Sequence, residues 1–101
     1  DFAGYNALPA ANGFEALSVI NNHKVDLIIT DITMPGKDGI ELMTEIRSTH
    51  SMQGIPIIVF SAAPQHDVME RAFKAGANQF IIKPASMEHL LILIEQQLIK
   101  L

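Results

Sequence analysis

The chain has 101 residues, which is enough for one domain and too few for two. Apolar residues make up 49% and charged residues 18%, so the composition excludes a disordered chain. The net charge of −4 argues against direct binding of nucleic acid, and the lack of cysteine excludes disulfides and thiolate metal sites. We expect a single cytoplasmic domain over residues 1–101, with no direct contact to nucleic acid or to a membrane.

Apolar periodicity and turn residues predict alternating strands and helices. Residues 5–10 are predicted as an edge strand, because Pro9 lacks the N–H that a central position requires. The next elements are a helix at 14–22, a strand at 25–30, a helix at 40–47, a strand at 56–61, a helix at 64–75 stopped by Gly76, a strand at 80–84 and a helix at 87–101 capped by Ser86. This order predicts an α/β fold with a parallel sheet and helices on both faces.

Three of the predicted strands end in a polar side chain. Asp31 follows the apolar run Leu27–Ile29, and the two later strands end at Ser61 and at Lys83. The carboxyl ends of parallel strands with right-handed crossovers lie at one edge of the sheet, so these three side chains are expected to converge. A carboxylate, a hydroxyl and an ammonium group together suit phosphoryl transfer, in which the carboxylate attacks phosphorus and the other two bind the phosphoryl oxygens.

Four motifs occur in the order and spacing of a known family. Together they resemble the receiver domain of two-component response regulators over essentially the whole chain. The motifs are A-x-N-G-x-E-A-L at 10–17, D-L-I-I-T-D-I-T-M-P-G-K-D-G at 26–39, P-I-I-V-F-S-A at 56–62, and A-G-A-N-Q-F-I-I-K-P at 75–84. The resemblance implies a flavodoxin-like, doubly wound parallel sheet of strand order 2-1-3-4-5.

The resemblance also implies roles for single residues. Asp31 matches the phosphoacceptor, which also binds Mg²⁺, and the backbone carbonyl of Thr33 matches a second metal ligand. Ser61 matches the switch hydroxyl, and Phe80 matches the aromatic residue that changes rotamer with that hydroxyl. Lys83 matches the lysine that pairs with the phosphoryl group. The peptide bond from this lysine to the next residue, Pro84 here, is typically cis in the family. The phosphoryl group would come from a histidine kinase or a histidine phosphotransfer protein, and the surface of the last two helices and the last strand would change.

The sequence departs from the family at its N-terminus. Receivers begin with a strand that ends in two acidic metal ligands, and this chain has neither that strand nor most of the first helix. We therefore expect Mg²⁺ binding for the complete domain, and weak binding or none in this chain. The missing strand would lie between strands 5–10 and 25–30. We expect a partner chain or upstream residues to fill that slot, and direct parallel pairing of Leu8 with the 25–30 strand would contradict this.

Two other functions compete with the receiver. One is a phosphatase that resembles the haloacid dehalogenase superfamily, which needs a second aspartate two residues after the nucleophile, where this chain has Thr33. The other is a receiver-fold interaction domain that is not phosphorylated. We favour a phosphoacceptor that is not an enzyme, beyond promoting its own phosphorylation and dephosphorylation.

The last helix carries five apolar residues in succession at 90–94. A helix that covers one face of a sheet needs only an apolar stripe, so its outer side is expected to meet another surface. A homodimer through this helix, or through strand exchange, is therefore a further expectation.

Overall fold

The computed structural model describes residues 4–31, 39–49, 52–62 and 66–98. Within these ranges helices alternate with strands. The elements are α1 (Gly13–Asn22), β1 (Ile28–Thr30), α2 (Gly39–Ser48), β2 (Ile57–Ala62), α3 (His66–Ala75), β3 (Gln79–Lys83) and α4 (Met87–Leu98). None of these helices is long and apolar enough to cross a membrane.

The described strands form one parallel sheet in the order β1-β2-β3. Ile28 pairs with Ile57 at one end of the β1–β2 ladder, and β1 is shorter than the predicted strand at 25–30. The residue before β2 is Pro56, which has no N–H and offers only its carbonyl, to the N–H of Ile28 at 3.0 Å. The ladder therefore ends there, and β1 with it.

Helices cover both faces of the sheet, as the sequence predicted. On one face, α1, α2 and α3 pack on β2 around a core of buried residues: Leu42, Met43, Ile46, Met52, Ile57, Val59, Ala72 and Ala77. On the other face, Leu90 and Ile94 of α4 pack on Ile58 and Ile81. Residues of β2 alternate between these two cores, because successive side chains in a strand point to opposite faces.

Capping residues fix the ends of several helices. The Asn12 side chain accepts a hydrogen bond from the N–H of Glu15 at 2.9 Å and starts α1. Ser86 caps α4 as predicted, with its hydroxyl accepting from the N–H of His89 at 3.0 Å. Gly76, directly after α3, has a φ of 120°, which side chains rarely adopt.

Arg47 ties the end of α2 to two loops at the amino end of the sheet. Its guanidinium donates five hydrogen bonds, to the carbonyls of Gln53, Ile55 and Gly76 and to the side chain of Asn78. These are all the N–H donors that a guanidinium has. Partial burial lowers the pKa of Arg47 from its usual value. A Cβ at Gly76 would lie 2.5 Å from Arg47 Cγ, so the glycine is also required for space.

The predicted strand at residues 5–10 is wrong. Tyr5 forms a single β-bridge, residues 6–10 are exposed and form no strand, and the sheet of described strands begins at β1. A cleft of about 1140 Å³ lies beside β1, and residues 5–12 and 24–31 contribute to its lining. An extended segment with no neighbouring strand has no ladder to join. Pairing of Leu8 with β1 is therefore not observed, and Tyr5 instead packs against the α4 side of the core.

Candidate functional site

The site lies at the carboxyl edge of the parallel sheet, where three strands deliver polar side chains. Asp31 directly follows β1, Ser61 is the penultimate residue of β2, and Lys83 ends β3. Parallel pairing across β1, β2 and β3 brings these ends to the same side of the molecule. The edge thus carries a carboxylate, a hydroxyl and an ammonium group, from positions 31, 61 and 83.

Asp31 and Lys83 form an ion pair across the width of the sheet. The Lys83 ammonium lies 3.0 Å from Asp31 Oδ2, with 42% of the lysine side chain and 35% of the aspartate side chain exposed. An ion pair at this exposure contributes little to stability, about 0–1 kcal/mol. In this pair the Asp31 carboxylate remains accessible from solution, and the Lys83 ammonium lies next to it. The Lys83–Pro84 peptide bond is cis.

Ser61 reaches the same edge from the other side of β2. The residue is 7% exposed and pairs in register with Ile82, one position before Lys83. Alternation along β2 places Ser61 on the α1–α3 face together with Val59, whereas Phe60 lies on the α4 face. A hydroxyl and an ammonium group therefore flank the end of β1 from opposite faces of the sheet.

Phe80 lies on the Ser61 side of the sheet. Its half-buried ring packs against the α1–α3 core and meets the ring of Phe73 on α3, with centroids 6.4 Å apart and a tilt of 42°. Phe73 is largely exposed. The pair links the strand that ends in Lys83 to the outer surface of α3.

The described residues do not by themselves fit a Mg²⁺ site. They contain no group of three His, Asp or Glu residues that could hold a metal, and Asp31 is the carboxylate at the edge. Thr33, whose carbonyl was predicted as a ligand, lies outside the described residues. Mg²⁺ requires octahedral oxygen coordination, to which a single carboxylate paired with an ammonium contributes little.

One residue of this edge was missed from the sequence. The Lys83 ammonium lies 5.3 Å from the centroid of the Phe60 ring, over its face. The sequence pattern indicates only that Phe60 belongs to an apolar strand. Strand alternation alone does not reveal this contact, because it also depends on the register in which β2 pairs with β3, with Phe60 opposite Ile81.

Known proteins resemble the chain in sequence and in fold. The family model for the response regulator receiver domain matches residues 2–95. The transcriptional regulatory protein MalR of Bacillus subtilis is 40% identical over 86 residues, covering 84% of this chain and 36% of the relative. PdtaR of Mycobacterium tuberculosis is 42% identical over 86 residues, covering 85% of this chain and 40% of the relative. The chain thus spans about two fifths of the length of these relatives.

Solved structures agree with this relationship. The Vibrio cholerae chemotaxis protein CheY4 superposes with a TM-score of 0.88 at 29% identity, over 95% of this chain and 80% of that one. The receiver domain of a signal transduction histidine kinase from Syntrophus aciditrophicus gives a TM-score of 0.87 at 29% identity, over 96% and 75%. By sequence and fold together, the chain belongs to the response regulator receiver domain family of two-component signal transduction.

Proposed function

We propose that Asp31 is the phosphoacceptor and that it takes its phosphoryl group from a phosphohistidine on a histidine kinase or a histidine phosphotransfer protein. The observation that carries the proposal is the 3.0 Å contact between the Lys83 ammonium and Asp31 Oδ2 at a solvent-accessible strand end. A carboxylate in this position is open to a donor from solution. The adjacent cation offsets the negative charge that a phosphoryl group brings.

The transfer is a nucleophilic displacement at phosphorus. A carboxylate oxygen of Asp31 forms a bond to phosphorus while the phosphorus–nitrogen bond of the donor breaks. The imidazole leaves with that electron pair and takes up a proton. The product is an aspartyl phosphate with about −1.5 to −2 charges near neutral pH. The Lys83 ammonium then pairs with a phosphoryl oxygen in place of the carboxylate.

The phosphoryl group on Asp31 also provides a hydrogen-bond acceptor for Ser61. Its hydroxyl, on the α1–α3 face of the edge, can donate to a phosphoryl oxygen. Phe80 shares that face of the sheet and contacts Phe73, and we infer that it changes rotamer when Ser61 moves. The change would thus pass to the surface formed by α3, β3 and α4. The chain acts as a switch and not as an enzyme on a separate substrate.

The remaining parts of the proposal follow from the family. We infer a cytoplasmic protein whose complete domain uses Mg²⁺, with binding by this chain weak or absent. A homodimer through α4 is supported by the exposed side chain of Ile92, and strand exchange by the cleft beside β1. No direct contact with nucleic acid by this domain is proposed.

Labelling with a small phosphodonor tests the proposal. The chain is incubated with acetyl phosphate and MgCl₂, and phosphoryl incorporation is followed by intact-mass spectrometry. Asp31→Asn should abolish incorporation, whereas Asp26→Asn should not, because Asp26 is an exposed aspartate that precedes the amino end of β1, at the opposite end of the strand from Asp31. Equal labelling of Asp31→Asn and the unmodified chain would exclude Asp31. Lack of labelling in the unmodified chain would favour the interaction domain that is not phosphorylated.

A further inference from the structure

The Lys83 side chain makes two contacts at once. Its ammonium lies 3.0 Å from Asp31 Oδ2 and 5.3 Å from the centroid of the Phe60 ring. A cation within about 6 Å of a ring centroid is attracted by the negative face of the ring. The ring and the carboxylate therefore hold the ammonium from two sides.

The geometry of the sheet explains why Phe60 is under this lysine. β2 lies between β1 and β3, so Lys83 must cross β2 to reach Asp31. In register, Ala62 pairs with Lys83, and Phe60 lies two residues back on the same face. Thr30 pairs with Val59, so the next residues along the two parallel strands, Asp31 and Phe60, lie beside each other. The ring thus lies on the route that the lysine side chain takes.

The Phe60 ring is packed against the core, whereas the Lys83 side chain is partly exposed. Phe60 is half-buried and packs against the core formed by Ile58, Ile81, Leu90 and Ile94. The Lys83 side chain is 42% exposed, and a free lysine side chain samples many rotamers, which costs entropy when it is fixed in one place. A fixed aromatic face below the ammonium restricts that sampling to positions near Asp31.

We propose that Phe60 is a positioning residue for Lys83, holding the ammonium over the strand end where the phosphoryl group arrives. The inference rests on the proposed function of Asp31 and adds a residue to it. Phe60 touches neither donor nor phosphoryl group and acts through the lysine. A leucine of similar apolar character would keep much of the core contact and lose the aromatic face.

Phosphorylation rates separate positioning from packing. We expect Phe60→Leu to be labelled by acetyl phosphate about two- to fivefold more slowly, the range of a partly exposed cation–π contact. Phe60→Tyr keeps the ring and should stay within about twofold of the unmodified chain. Leu91→Ala also removes apolar contact with the same core, and it should lower stability without slowing labelling at equal folded fraction. Phe60→Met replaces Phe60→Leu if the latter does not fold.

Two results would overturn the inference: equal rates for Phe60→Leu and the unmodified chain, or a rate for Phe60→Tyr as low as that of Phe60→Leu. If the unmodified chain takes no label, the proposed function of Asp31 fails, and nuclear magnetic resonance decides the inference alone. The Lys83 Hε protons should then be shifted upfield by the ring in the unmodified chain and in Phe60→Tyr, and not in Phe60→Leu. Identical Hε shifts in all three would refute the contact.

Discussion

Lys83 reaches Asp31 across the middle strand of the described sheet, with 3.0 Å between ammonium and carboxylate, although the two residues are 52 positions apart in the sequence. The pair is half-exposed, so its Coulomb energy is screened by water and adds little to folding. Because this ion pair adds so little stability, its position at the strand ends is better explained by a role in phosphoryl transfer than by a role in folding.

Lys83→Met is therefore expected to separate function from stability. The free energy of unfolding in urea should change by less than about 1 kcal/mol, since a half-exposed pair is lost. Labelling of Asp31 should slow on the order of 100-fold, because a cation that stabilises the developing charge is removed. Lys74→Met is the matched control, since it breaks the exposed pair of Lys74 with Glu70. Similar labelling by the two variants would contradict the role of Lys83.

Ser61→Ala should uncouple phosphorylation from the response of Phe80. The nucleophile and the ammonium remain, so Asp31 still accepts the phosphoryl group. Without the hydroxyl, residue 61 has no group that can donate a hydrogen bond to the phosphoryl oxygens, so it should not move toward them. Ring resonances of Phe80 and Phe73 should shift on phosphorylation in the unmodified chain and stay in place in Ser61→Ala, as measured on protein with labelled phenylalanine. Equal shifts in both proteins would remove Ser61 from the path.

Arg47 is expected to matter for stability and not for labelling. Arg47→Met leaves the carbonyls of Gln53, Ile55 and Gly76 without their donor, and unfolding in urea should be easier by about 2–3 kcal/mol. Arg47→Lys keeps the charge but cannot reproduce the planar fork, and should recover only part of the loss. Arg71→Met, at an exposed position on α3, should change stability by less than about 0.5 kcal/mol. An equal loss in Arg71→Met would contradict the account.

Ile92→Glu is expected to weaken self-association. Leu90 and Ile94 of α4 face the sheet, whereas Ile92 is 50% exposed. A carboxylate buried without a partner in a dimer interface is costly. Gln96→Glu adds the same charge at an exposed polar position of the same helix and should have a smaller effect. Sedimentation velocity over a concentration series measures both, and a monomeric unmodified chain at all concentrations would exclude this interface.

The sequence was sufficient to predict the site's edge but not its internal contacts. Asp31, Ser61 and Lys83 each follow or end an apolar run, and parallel strands leave little choice about where such residues lie. The contact of Lys83 with Phe60 depends on rotamers, which periodicity does not specify. The five hydrogen bonds of Arg47 join loops distant in sequence, and its position in the helical pattern gave no sign of them.

The wrong strand at residues 5–10 has a different cause. Local composition favoured an extended segment, and the segment is not helical. A strand also requires a neighbour to pair with, which is a property of the sheet and not of those residues. Among the described strands, none lies beside β1 on the side of residues 6–10.

Mapping the modified residue determines directly whether Asp31 accepts the phosphoryl group. After reaction with acetyl phosphate, borohydride reduces an aspartyl phosphate to the corresponding alcohol, which marks the residue permanently for peptide sequencing by tandem mass spectrometry. If Asp31 is the phosphoacceptor, homoserine should be found at position 31 after the reaction. No homoserine should be found there when the phosphodonor is left out. Homoserine at Asp26 or Asp38 with an unchanged Asp31, or phosphate on a hydroxyl that borohydride leaves intact, would contradict this assignment.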